Sequence, residues 1–185
     1  NQHLREKAED LRKILAKNPG SIDNIKEKGI GTGEYLDCQN EVDILFCTFA
    51  KSMSSIGAFI SSTSDMVDYL RYNIRSQIFA KSLPMPIVAG AIKRLELLIN
   101  KPELRKKLWQ ITNALQKGLK ENGFSLGNTE SAVTPIYLSG NVTEAANLTY
   151  DLRENFGIFC SIVTYPVVAK NIILLRLIPT ATHTL

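Results

Sequence analysis

The chain has 185 residues, a net charge of +4, three cysteines and two histidines. That length can bury a sizeable core, as one domain or one and a half, and the composition is that of a globular chain rather than a disordered or fibrous one. Three cysteines (Cys38, Cys47 and Cys160) fit neither a disulfide framework nor a zinc pattern. His3 and His183 alone do not make a histidine-based metal site, and no apolar run reaches the ~20 residues of a membrane span.

Residues 4–17 predict an amphipathic helix, with Leu4, Ala8, Leu11 and Leu15 at helical spacing and Pro19-Gly20 as its stop. Residues 21–34 are polar and glycine-rich and read as loop. Within them Gly29-Ile-Gly-Thr-Gly33 lacks the preceding strand and following helix that a dinucleotide loop needs, so its glycines serve a loop. Residues 42–49 predict a buried strand, and residues 59–61 the end of a second, short one. Ser62 and Asp65 have capping-box spacing for a helix through Tyr72. Pro84 and Pro86 open a helix to about Ile99. Lys101-Pro102 starts another, with proline in its first turn and Gly123 as terminator. The lysines and arginine of that second helix (Lys101, Arg105, Lys106, Lys107, Lys117, Lys120) lie opposite its leucines and read as a solvated face. No nucleic-acid motif accompanies them, so no nucleic-acid partner is expected. Beyond Gly123 the order is β-α-β-β: a strand over 133–138, a helix capped by Asn141 and Glu144 and ended by Gly157, then strands over 158–163 and 172–178. Cys47 and Cys160 fall in apolar strand-like runs and read as packing residues. Reduced thiols in a cytoplasmic protein are the expectation, and no signal peptide is read.

The chemistry concentrates where the run of residues 44–49 ends at Lys51. A lysine at the end of a buried strand can be nucleophilic, because burial disfavours the charged form, and a nucleophilic amine is what a Schiff base with an aldehyde cofactor requires. Thr48 and Ser52 offer hydroxyls for a phosphate. The same residues also describe a strand followed by a surface loop with an ordinary solvated lysine. Arg176 sits in an otherwise apolar strand, where a charge is not expected to stay unpaired. It reads as half of a structural ion pair or as a bidentate clamp on a carboxylate. His183 reads as satisfying a local hydrogen bond.

Segments around these residues follow a specific order. Gly31-Thr-Gly-Glu-Tyr35 precedes the lysine run. Asp68-Tyr-Leu-Arg71, Arg75-Ser76 and Ile78-Phe-Ala-Lys-Ser-Leu-Pro84 follow it, and Leu175-Arg-Leu-Ile-Pro-Thr-Ala-Thr-His-Thr184 ends the chain. From about Gly29 onward this series resembles the α-oxoamine synthases: serine palmitoyltransferase, 2-amino-3-ketobutyrate CoA ligase, 8-amino-7-oxononanoate synthase and 5-aminolevulinate synthase. The resemblance implies an α/β protein of the pyridoxal 5′-phosphate (PLP) dependent transferase fold type I. Residues 1–83 would be part of the PLP-binding large domain, 84–122 connecting helices, and 123–185 the small C-terminal α+β domain. Lys51 would be the Schiff-base lysine, with Thr48 and Ser52 on the cofactor phosphate. Lys81 or Ser82 would reach the cofactor phosphate of a neighbouring subunit in a homodimer, and Arg176 would bind the substrate carboxylate.

The implied activity is condensation of an amino acid with an acyl-CoA, serine palmitoyltransferase-like. The alternatives are an aminotransferase of the same fold and a non-catalytic fragment acting as a dimerisation or binding module. Three departures stand out. No Asp-x-Ala-His segment, which supplies the family's partner for the pyridinium nitrogen, occurs anywhere in the sequence. Gly57-Ala58 stands where the family often has Gly-Gly, and Lys81 where it often has a threonine or serine. The strands expected between Gly20 and Lys28 are missing too, which predicts a break in the chain there.

Overall fold

The computed structural model describes Gly33, Leu36 and residues 38–185. The helix expected over 4–17 and the break expected between Gly20 and Lys28 lie outside the described residues. The chain divides into two compact units, residues 1–102 and 103–185.

In the first unit, β1 (Leu45–Thr48) pairs antiparallel with β2 (Ala58–Ser61). The strand expected over 42–49 is therefore shorter, and it is not buried: Phe46 is 63% exposed. Side chains alternate across a strand. Phe46 and its cross-strand partner Ile60 share one face, which no third strand or helix among the described residues covers. Phe59, on the other face, packs with Leu83, Leu95 and Leu98 around the buried Phe49, Met53 and Ala91. Helix α1 (Ser64–Asn73) is capped by Thr63, whose side chain accepts from the Met66 N–H at 3.4 Å. The expected cap, Ser62, instead donates its hydroxyl to the Asp43 carbonyl at 2.6 Å, tying the exit of β2 to the entry of β1. A short α2 (Arg75–Phe79), not expected from the sequence, leads by a loop to α3 (Met85–Asn100). Pro84 and Pro86 sit at its start, where a missing N–H breaks no helical bond.

The second unit takes nearly all of α4 (Pro102–Glu121). Gly123, at φ +82°, supplies the left-handed turn that ends α4. The sheet consists of β3 (Thr134–Leu138), β4 (Ser161–Val163) and β5 (Ile173–Leu177), with β5 in the centre and antiparallel to both neighbours. Between β3 and β4 runs α5 (Val142–Phe156). Its N-terminus is the expected capping box: Asn141 accepts from the Glu144 N–H, and Glu144 accepts from the Asn141 N–H, both at 3.0 Å. Gly157, at φ +65°, closes it. One face of the sheet, carrying Ile136, Leu175 and Leu177, packs with Leu119, Leu126 and Leu152. Leu174 and Arg176 point to the other face by alternation along β5. No helix among the described residues is long and apolar enough to cross a membrane.

Candidate functional site

The first cluster lies in the loop between β1 and β2. The loop is closed by the Phe49 N–H to the Gly57 carbonyl and by the Ser55 N–H to the Phe49 carbonyl, each 2.9 Å. A tighter turn inside it runs from the Ser54 N–H to the Lys51 carbonyl, also 2.9 Å. Phe49 and Met53 are buried on either side of Lys51, so they anchor the loop while Lys51 and Ser52 stand exposed. The expectation of a lysine at the end of a buried strand is corrected here. Lys51 is three residues past β1, in a bend, and its side chain is open. Thr48 Oγ1 accepts from the Ala50 N–H at 3.2 Å, and among the described residues nothing accepts its hydroxyl proton.

Lys81 and Ser82 reach the same neighbourhood through Leu83. That leucine belongs to the core around Phe49 and Met53. It lies so close to Gly57 that a Cβ there would stand 2.6 Å from Leu83 Cδ1. The loop between α2 and α3 is thus pinned against the lysine loop. Lys81 is exposed, with its backbone at φ +68°, a left-handed conformation unusual for a residue with a side chain.

The second cluster belongs to the other unit and is built on the open face of its sheet. Arg176, in the central strand, has Pro135 opposite it on β3 and Ser161 opposite it on β4. Arg176, Pro135, Leu174 and Val163 line a cleft of about 340 Å³, whose remaining wall is the segment that carries Thr129, Ser131 and Val133. Gln116 of α4 holds that wall. Its Nε2 donates to the Ser131 carbonyl at 3.0 Å and to the buried Thr134 Oγ1 at 3.1 Å. Arg176 is exposed and donates through Nε to Ser161 Oγ at 3.1 Å. No ion pair among the described residues includes it, so the structural ion pair weighed from the sequence is not found there. The sequence did not single out Ser161, Gln116, Thr129 or Ser131. Their roles depend on cross-strand register and helix packing, which no local motif signals. His183 Nδ1 accepts from the Thr180 N–H at 3.0 Å, the local bond expected of it. Cys160 is half-buried at the edge of the second core, and loss of hydration there pushes its thiol up from its ordinary value.

Residues 21–185 match the aminotransferase class I and II family, and the chain belongs to it. Within that family its similarity runs to acyltransferases. It is 53% identical over 171 residues to the cysteate-C-fatty acyltransferase of Capnocytophaga ochracea, a match covering 92% of this chain and 41% of that protein. It is 35% identical to the serine palmitoyltransferase of Sphingobacterium spiritivorum, covering 92% of this chain and 42% of that one. A solved structure of SPT with the PLP internal aldimine superposes with a TM-score of 0.77 at 30% identity, covering 85% of this chain and 39% of the other. The fold is that of the PLP-dependent transferases of fold type I, and the α-oxoamine synthase resemblance holds. The chain spans about two-fifths of the length of these relatives.

Proposed function

We propose that the protein of which this chain is part is a PLP-dependent acyltransferase that condenses a small polar amino acid with a fatty acyl-CoA. Cysteate is our first choice of amino acid. The observation that carries this reading is the 53% identity to a cysteate-C-fatty acyltransferase across nearly the whole chain. The relatives favour it over an aminotransferase or a non-catalytic module.

The residues present suit the aldehyde and phosphate ends of PLP. An exposed primary amine, an exposed Ser52 hydroxyl and the Thr48 hydroxyl lie within five residues on one anchored loop. In this reading Lys51 would hold the cofactor through its aldehyde end, and the Thr48 and Ser52 hydroxyls would donate to its phosphate. Lys81 meets the phosphate of the neighbouring subunit in a homodimer as a point charge, with Ser82 beside it. When bound, PLP supplies an electron sink that stabilises negative charge at the amino acid's α-carbon. Arg176 fixes the substrate by its carboxylate through the guanidinium fork. The Lys51 amine would serve as the base that takes the α-proton and returns one to the same carbon. The net reaction would form a bond from the α-carbon to the thioester carbonyl carbon, expel CoA as a thiolate that takes its proton from solvent, and release the original carboxylate as CO₂. Domain roles follow the same reading: residues 1–83 belong to the large domain, 84–122 connect, and 123–185 form the small domain. Three unbridged cysteines support a reducing, cytoplasmic setting.

The test is a thiol-release assay on the full-length protein with palmitoyl-CoA and, separately, glycine, L-serine and L-cysteate. PLP-dependent CoA and CO₂ release with L-cysteate is expected, and Lys51→Ala should abolish it. Amino-group transfer to a 2-oxo acid without CoA release would replace this reading with the aminotransferase one.

A further inference from the structure

The geometry points to Ser161 as the positioning residue for Arg176. It turns an exposed arginine into an aimed carboxylate fork. The inference rests on the reading that Arg176 binds the substrate carboxylate, and it adds a residue that the sequence did not mark.

Three observations carry it. First, Ser161 and Arg176 are direct cross-strand partners on β4 and β5. Side chains directly opposite across an antiparallel pair lie close enough to interact. Second, the bond uses Nε: Arg176 Nε donates to Ser161 Oγ at 3.1 Å. The guanidinium is planar, with its five N–H groups in a fixed fork. Holding the inner nitrogen leaves the two terminal nitrogens for a bidentate partner and fixes the plane they act in. Third, Arg176 lines the cleft and Ser161 does not. Ser161 therefore acts on a ligand through Arg176 and not by touching it.

The consequence is thermodynamic. An exposed arginine samples many rotamers, and a ligand that needs one of them has to freeze the others. A serine on the neighbouring strand selects the rotamer before the ligand arrives. Because the bond is neutral on the serine side and solvent-exposed, its effect should be modest, about three- to tenfold in affinity.

The experiment is a double-mutant cycle on the full-length, PLP-loaded protein. Calorimetry would measure the binding of glycine, L-serine and L-cysteate, with melting temperature recorded alongside. For whichever amino acid binds, Arg176→Ala should weaken it about tenfold or more. Ser161→Ala should weaken it about three- to tenfold, and Ser161→Thr, which keeps the hydroxyl, should restore it. Adding Ser161→Ala to Arg176→Ala should change nothing further, since the serine has no arginine left to aim. If Ser161→Ala fails to fold, Ser161→Cys carries the same expectation, because a thiol is a weak acceptor. No binding by any of the three, or unchanged binding in Arg176→Ala, overturns the carboxylate reading and this inference with it. Weakened binding in Arg176→Ala, but an unchanged Ser161→Ala or one whose loss persists without the arginine, overturns the role of Ser161 alone.

Discussion

Gly57→Ala tests the joint between the Lys51 loop and the loop that precedes α3. Gly57 has φ +103°, where residues with a side chain are strained. That conformation costs of order 1–3 kcal/mol. The new Cβ would also stand 2.6 and 3.0 Å from the two methyls of Leu83 and 3.3 Å from Phe49 Cδ2. Leu83 could rotate away, but it packs on Phe49, Met53 and Ala91, so moving it disturbs that core. Overpacking of this kind costs about 1–3 kcal/mol. The two effects together give about 2–6 kcal/mol. At roughly 2–4 °C per kcal/mol, melting temperature should fall by about 4 °C or more. Lys81 and Ser82 immediately precede Leu83, so the displaced leucine should also weaken PLP binding, read from visible absorbance on titration of the full-length protein. Gly123→Ala is the control: φ is +82° there, but nothing lies within 4 Å of the added Cβ. Equal losses of stability in the two variants, with PLP affinity unchanged in Gly57→Ala, would show that the approach of Leu83 contributes nothing and refute the argument.

The capping box makes Asn141→Ala cost about 0.5–2 kcal/mol of stability, measurable by denaturant titration, with no change in PLP affinity. Because burial raises the Cys160 thiol, the folded state favours the protonated form. The sign follows: this stabilisation is fully present below the ordinary thiol value and is lost as pH rises through the raised one. Cys160→Ser should flatten the alkaline edge of a stability–pH profile, and in the intact protein Cys160 should alkylate more slowly than in the unfolded chain. If Lys81 meets a neighbouring subunit's phosphate as proposed, Lys81→Ala should weaken PLP binding while leaving the melting temperature of the PLP-free protein nearly unchanged, since Lys81 is exposed. A monomer with full activity would contradict the proposal of a dimeric site.

What the sequence made legible was local. The Asn141–Glu144 box, the Gly157 stop and the proline-initiated α3 and α4 each depend on residues within a turn or two, and the structure has them where expected. The lysine loop was legible for the same reason: Thr48, Lys51 and Ser52 lie within five residues. Burial was not legible. Residues 44–49 are apolar enough for a central strand, yet Ile44 and Phe46 are exposed, because only one neighbouring strand pairs with β1 among the described residues. The cap at Thr63 rather than Ser62 was missed because both can cap, and only the long-range bond from Ser62 to the Asp43 carbonyl separates them. Ser161 was invisible because its partner is fifteen residues away on another strand, and register is set by the whole hydrophobic pattern and the turns.

The kind of partner Arg176 has matters as much as its place. From the sequence, Arg176 reads as half of a structural ion pair or as a clamp on a substrate carboxylate, on the reasoning that a charge in an apolar strand does not stay unpaired. Among the described residues no such ion pair is found. Alternation puts Arg176 on the open face of the sheet, where water already solvates it, so no neutralising partner is required. In the proposed role of Arg176, a carboxylate in the place of Ser161 would occupy the same fork that a substrate carboxylate needs, and would have to be displaced before binding. A hydroxyl accepts one N–H and leaves the full positive charge uncompensated. Serine therefore separates two properties that an ion pair would couple: it orients the guanidinium without discharging it. Ser161→Asp makes the distinction measurable. The aspartate should hold Arg176 in place and preserve the fold, yet weaken amino-acid binding more than Ser161→Ala does, because it competes for the fork itself. Equal or tighter binding in Ser161→Asp would mean that the charge of Arg176 is not what the substrate meets.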